Sequence, residues 1–341
     1  MTGKDQFQKI IERQSEKCGF WHGVPHKDTV KKLHSYFGVK DDFELGLKFG
    51  SLCRFIQPEA HGMWQNPPIF DVLNGAPSIT LDQGGVFEDC EDIRDIENYH
   101  WPNPEECDFS DTLKEIERTM AAGQAILSGT WGTFFRTTYC YFGMESCFIK
   151  MHESPELVNA VADRVVDFYL KANEKLYKLT GNKGGGNKID ALFFGNDFGT
   201  QLDLFISPKH FDRFVMPYFS RLTAQAHKYG IKVVLHSCGS IYRVIPRLIE
   251  AGVDVLHPIQ AKAKNMDAQY LAENYKDKII FMGGLDTQDI LPFGTPREVK
   301  QEVRRLKETF GPNYILSPSH ETLLPNVPVE NVAAMVEAAW E

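Results

Sequence analysis

The sequence predicts an α/β protein: a (β/α)8 TIM barrel with an N-terminal helical and irregular extension, read as a single domain over 1–341. Three observations lead there. Apolar, β-branched runs alternate with amphipathic stretches closed by glycine, giving five strand–helix units from residue 189 onward at a spacing of roughly 25–40 residues. A sixth unit precedes them, over 123–179. No Gly-x-Gly-x-x-Gly follows any of these strands, which argues against a doubly wound dinucleotide-binding sheet. Strands that alternate with helices pair in parallel through helical crossovers.

In chain order, residues 1–75 are mixed, with "CGFWHGVPHKDTV" and "HGMWQNPPIF" rich in aromatics and prolines. They are expected to pack on the barrel as an extension, and His22, His26 and His61 are assigned no role. "GQAILSGTW" (123–131) reads as a strand and "SPELVNAVADRVVDFYLKANEKLYKL" (154–179) as its helix. "GNKGGGNK" (181–188) has glycines but no Gly-Lys-Ser/Thr ending, so it reads as a connector rather than a phosphate cradle. "IDALFFGND" (189–197) is a strand; the helix over 207–230 starts with Ser207 at the N-cap and Pro208 in its first turn. "IKVVLHS" (231–237), "VDVLHPI" (253–259), "KIIFMGGLD" (278–286) and "NYILSPS" (313–319) are the later strands. Their helices are expected at 241–252, 266–277, 295–311 and 327–341.

A net charge of −9 argues against nucleic acid or an anionic membrane as partner. Seven scattered cysteines without a C-x-x-C pair suit a reducing compartment. The N-terminus has no apolar signal core, and no apolar run approaches the ~20 residues of a membrane span. The expectation is a cytoplasmic protein; whether it forms a homo-oligomer is left open.

In a TIM barrel the chemistry gathers at the C-terminal ends of the strands. The expected ends carry Ser128 and Trp131; Asn196 and Asp197; His236 and Cys238; His257 and Gln260; Asp286; and Ser317, Ser319, His320 and Glu321. Side chains alternate along a strand, so His236 and Cys238 point one way and Ser237 the other. A strand-end His-x-Cys supplies two ligands for zinc. His320 is the first choice for a third, with Asp197, Glu321 and Ser319 in reserve. The plainer alternative is that His236 and Cys238 are buried core residues. Asp197 and Asp286 read equally as turn caps, and His257 before Pro258 as structural.

"VVLHSCGSI" (233–241), "GVDVLHPIQ" (252–260), "FMGGLDTQ" (281–288), "YILSPSHETLLPNVPVENVAAMVEAA" (314–339) and "GNDFGTQLDLFISPKHFDRFVMPYF" (195–219) together resemble the uroporphyrinogen decarboxylase superfamily. Within it they look like the branch of corrinoid-dependent methyltransferases. The resemblance covers residues 120–341 well and the N-terminal third loosely. It implies a (β/α)8 barrel and a zinc held by a His-x-Cys and a later cysteine. His236 and Cys238 match the first pair; "LSPSHE" stands where the second cysteine is expected, with His320 nearest. The decarboxylase's N-terminal arginine signature is not visible, so decarboxylation of uroporphyrinogen is not expected.

What the resemblance implies is methyl transfer from a methoxylated aromatic to the cobalt of a corrinoid (cobalamin-type) carried by a partner protein. Zinc would assist the leaving oxygen. Asp197 or Glu321 would serve as acid if its pKa is raised. Trp131 and Phe198, with Phe193 and Phe194, would wall an aromatic ring, and Asn196, Gln260, Asp286 and Ser319 would contact substrate. The alternatives are methyl transfer from a corrinoid to a thiol, and a barrel that binds a ligand without turnover; whether a substrate carboxylate is held by an arginine such as Arg136 or Arg243 is left open.

Overall fold

The structure, a computed structural model, describes residues 1–63, 84–181 and 186–341. Most of "HGMWQNPPIF" and the centre of "GNKGGGNK" lie outside the described residues. The strands are β1 (Gly19–Phe20), β2 (Cys53–Ile56), β3 (Ala125–Ser128), β4 (Ala191–Gly195), β5 (Lys232–His236), β6 (Val255–Ile259), β7 (Ile280–Leu285) and β8 (Tyr314–Pro318). All neighbouring pairs are parallel, in the order β1-β8-β7-β6-β5-β4-β3-β2. The Leu52 N–H donates to the Phe20 carbonyl at 2.9 Å, joining β1 to the start of β2 and so linking the two ends of the sheet. This is the (β/α)8 barrel expected from the sequence.

The stretch 1–75, expected to pack on the barrel, contains two of its strands, β1 and β2. Its first helix, Gly3–Ile11, is capped by a reciprocal Thr2–Asp5 box. The helix buries Phe7 and Ile10 among Leu127, Phe193, Val234 and Met282. These belong to the inward-facing residues of the strands. Val233 and Leu235 belong instead to the outer cluster beneath the helices. Within β5 the predicted alternation is observed for Val233, Val234 and Leu235; the strand ends at His236, and Cys238 lies beyond it.

The helices follow the predicted rhythm with local breaks. The helix expected over 207–230 is two, Pro208–Phe214 and Met216–Lys228, with Pro217 in the first turn of the second. Proline lacks the N–H an uninterrupted helix needs there. Ser207 caps the first as expected, accepting from the His210 N–H at 3.2 Å. The helix expected over 241–252 shrinks to Ile245–Glu250. No helix among the described residues is long and apolar enough to cross a membrane, and all seven cysteines are free thiols.

Candidate active site at the barrel mouth

Register places the site. Gly195 pairs with His236, and His236 with His257, so the ends of β4, β5 and β6 lie at one level. After His236 the chain turns sharply at Gly239, whose φ is +87°. A Cβ there would stand 2.2 Å from the Gly199 carbonyl oxygen, so the close approach of the two loops requires glycine. Gly195 is constrained too: a Cβ would stand 2.4 Å from the Trp131 indole.

The His236 imidazole is 4% exposed and meets polar groups at both nitrogens. Nε2 lies 3.3 Å from Asp197 Oδ1 and 3.5 Å from Cys238 Sγ. Asp197 Oδ1 also accepts from the Cys238 N–H at 2.9 Å, fixing the carboxylate against the turn. Nδ1 lies 3.2 Å from Glu321 Oε2, although without hydrogen-bond geometry. Trp131 packs on the same ring at 5.4 Å between centroids, held by its own N–H donating to Glu59. His320 stands 6.0 Å from His236, ring to ring, and is close enough to Cys238 to favour its thiolate. Its Nδ1 accepts from the Thr322 N–H at 3.0 Å. That bond leaves the ring proton on Nε2.

The charges follow from these contacts. Burial alone would lower the His236 pKa, but Glu321 at one nitrogen and Asp197 at the other hold it well above the ordinary value. Burial would raise Asp197 and Glu321; the His236 charge outweighs it, lowering Asp197 and holding Glu321 far below the usual range. Neither is therefore the raised acid expected from sequence. Burial would raise the Cys238 thiol, and His236 and His320 beside it bring it below the ordinary value. The nearness of Cys238 raises His320. His257 is fully buried, and burial together with the His236 charge holds it well below an ordinary histidine, so it is neutral.

Two groups of donors are close enough to share an ion, each within 4.8 Å: Asp197, His236 and Cys238, and His236, His257 and Glu321. The first offers sulfur, nitrogen and oxygen, a set that fits zinc. Ions on both sides of His236 would require its ring to lose both protons. Glu321 and the unpartnered His257 therefore read as support for a ring that binds through Nε2, the carboxylate–histidine–metal arrangement. Among the described residues it is Asp197, rather than the His320 of the sequence reading, that is grouped within 4.8 Å of the His236 and Cys238 donors, while the Thr322 N–H occupies His320 Nδ1.

A cavity of about 260 Å3 opens over these groups, lined by Asp197, His236, His320, Glu321 and Trp131 on one part and by Phe55, Gln57, Thr133 and Arg136 on another. The other residues expected to touch substrate are tied into its frame. Asn196 accepts from the Phe135 N–H at 2.9 Å and donates to Gly132. Phe198 packs in the core against Phe135 and Phe211. Gln260 accepts from the Gly239 N–H. Asp286 caps the next turn, accepting from the N–H groups of Gln288, Asp289 and Ile290 at 3.0–3.2 Å. Ser319 accepts from the Thr287 N–H. Phe193 and Phe194 are also buried in the core. Phe55 and Gln57 escaped the sequence reading; the signal for them was a short strand, "CRFI", followed by a polar residue. Arg136, one of the two arginines considered there for a substrate carboxylate, lines the cavity, whereas Arg243 is paired with Asp203.

A profile of the uroporphyrinogen decarboxylase (URO-D) family matches residues 78–341. Among curated proteins, a Methanosarcina mazei protein described as a methylated-thiol–coenzyme M methyltransferase is 25% identical over 201 residues. That match spans 58% of this chain and 48% of the relative, about half its length. Among solved structures, a methyltransferase from Methanosarcina mazei superposes with a TM-score of 0.66 at 16% identity, covering 99% of this chain and 98% of the other. This likeness bears on the fold.

Proposed function

The chain belongs to the uroporphyrinogen decarboxylase family, and from that premise we propose that it is a zinc-dependent methyltransferase, moving a methyl group from a methoxylated aromatic to the cobalt of a corrinoid carried by a partner protein. The observation that carries the reading is the cluster of Asp197, His236 and Cys238 at the mouth of a barrel with this ancestry. Those three residues would hold the zinc. Bound there, zinc supplies Lewis-acid stabilisation of charge on the oxygen that loses its methyl group.

The chain's own residues do the rest. Glu321 orients His236 and makes the ring a stronger base toward a metal. His320, beside Cys238, favours its thiolate. One thiolate with a carboxylate and an imidazole leaves a metal more electrophilic than two thiolates would. Trp131 and Phe55, 5.5 Å apart between centroids, supply aromatic walls and keep water from the reacting atoms. The phenolate oxygen needs a proton on leaving, since a phenol has a pKa of about 10.

A second reading has its own support: the Methanosarcina mazei relative is described as acting on methylated thiols. Parallel assays separate the two. The purified zinc protein, with a reduced corrinoid protein, is offered a methoxylated benzoate or a methylated thiol. The ether reading expects demethylation of the first; turnover of the second alone establishes the thiol reading, and turnover of neither removes both.

A further inference from the structure

The cavity holds a cation that the chemistry above does not use. Arg136 lines it from the helix Phe134–Phe142, and among the described residues no carboxylate lies within 4 Å of its guanidinium. Arg243, the other arginine considered for a substrate carboxylate, is paired with Asp203 at 3.0 Å, and Arg247 with Asp212. The polar contact Arg136 makes is with the thiol of Cys140, one helical turn on.

Two further donors face the same space. Gln57 Nε2 is buried without a hydrogen-bond partner. Thr133 is buried, and its hydroxyl has only a long, 3.4 Å contact with Thr137. Leaving a buried donor unpaired is costly, so an acceptor from outside the chain accounts for the arrangement better than chance. The three are grouped by topology. Gln57 follows β2, Thr133 and Arg136 follow β3, and those strands are neighbours. The donors proposed for zinc come from the ends of β4 and β5, with Glu321 beyond β8. The cavity therefore has a cationic, donor-rich end and a metal-ligating part, with Phe55 and Trp131 also in its lining. A volume of about 260 Å3 sits at the small end of ligand pockets.

We propose that the substrate is a small anion whose carboxylate or sulfonate head is bound by Arg136 with Gln57 and Thr133, while its methyl-bearing or methyl-accepting atom lies at the Asp197–His236 part of the cavity. The placement of the reacting end rests on the methyltransferase reading; the anion site does not.

The test is calorimetric titration of the zinc-loaded protein with two pairs of compounds. Methoxybenzoate is compared with the neutral methoxybenzamide, and methylthioethanesulfonate with the neutral methylthioethanol. At least one anion is expected to bind about 10- to 100-fold more tightly than its neutral twin, as charge-assisted hydrogen bonds allow. Which pair shows the preference tells carboxylate from sulfonate. Arg136→Gln is expected to bring the pair within about threefold, and Arg136→Lys to keep part of the preference as a point charge without the fork. Zinc content and melting temperature of both variants check that the fold is kept. Equal binding of anion and neutral twin, no binding of any of the four, or a preference unchanged in Arg136→Gln overturns the proposal. A preference that depends on Arg136 in protein that neither retains zinc nor transfers methyl groups upholds the anion site and refutes the proposed function.

Discussion

Replacing Glu321 by glutamine isolates the electrostatic support of the proposed zinc ligand. The side chain keeps its shape and an acceptor oxygen, and loses its charge 3.2 Å from His236 Nδ1. At an effective dielectric constant of about 20, a unit charge at that distance is worth about 5 kcal/mol of gross attraction. Desolvation and the retained amide dipole consume part of it, and changes at such supporting residues typically cost about 10- to 100-fold in metal affinity, or about 1.4–2.7 kcal/mol. The sign depends on pH. The same carboxylate stabilises a proton on His236, which is why that pKa is raised. Zinc must displace that proton. As pH rises, the proton leaves and the full advantage of Glu321 for zinc appears. As pH falls, the wild type suffers more proton competition than the variant, so the two affinities converge. Competition with a chromophoric chelator across the pH range reads both. Affinities within about twofold at every pH, or a gap that widens as pH falls, would refute this role for Glu321.

Three further outcomes follow from particular contacts. His22 is held at a pKa of about 4 by burial and the nearby Arg54 charge, against an ordinary 6.5. Its contribution to stability is complete above about 6.5 and is lost as pH falls through about 4, removing about 3 kcal/mol; in urea titrations at neutral and mildly acid pH, His22→Gln should show a shallower fall than wild type, and an equal fall speaks against this. Gly239→Ala forces a left-handed residue and a Cβ onto the Gly199 carbonyl; a stability loss of at least about 1–3 kcal/mol with weakened zinc retention is expected by calorimetry and metal analysis, and an unchanged melting temperature contradicts it. Trp131→Ala should raise KM for an aromatic substrate several-fold while zinc content stays at wild-type level, because the indole packs on His236 without donating to it; loss of zinc with unchanged KM would assign the indole to the metal site instead.

Six of the eight strands were legible because strands buried on both faces read as continuous apolar runs. "KVVLH" and "ALFFG" are of this kind. β1 and β2 were not. Gly19–Phe20 is too short to show a period, and "CRFI" carries Arg54 in its middle. Both are defined by neighbours: β1 by β8 from the far end of the chain. That His236 and Cys238 would come together was expected from alternation, and their Nε2 and Sγ lie 3.5 Å apart, although β5 ends at His236. The partners of Asp197 and His320 were not expected, because they depend on a turn at Gly239 and a single N–H from Thr322. Asn196, Asp286 and Ser319 sit at strand ends as expected, yet the N–H groups of the adjoining loops occupy their oxygens. Gln57 escaped for the opposite reason: what marks it is a buried Nε2 without a partner among the described residues, a property of the fold rather than of local sequence.

The central claim is that Cys238, with His236 and Asp197, forms a metal site that moves methyl groups. Its most direct measurement is a single-turnover assay, following loss of the reduced-cobalt spectrum of a corrinoid protein mixed with substrate and either wild type or Cys238→Ala, with zinc quantified in both. Wild type is predicted to hold about one zinc per chain and to consume the reduced cobalt, while Cys238→Ala does neither. A Cys238→Ala protein that transfers methyl groups at the wild-type rate, or a zinc-loaded wild type inert toward both ethers and methylated thiols, would contradict the account.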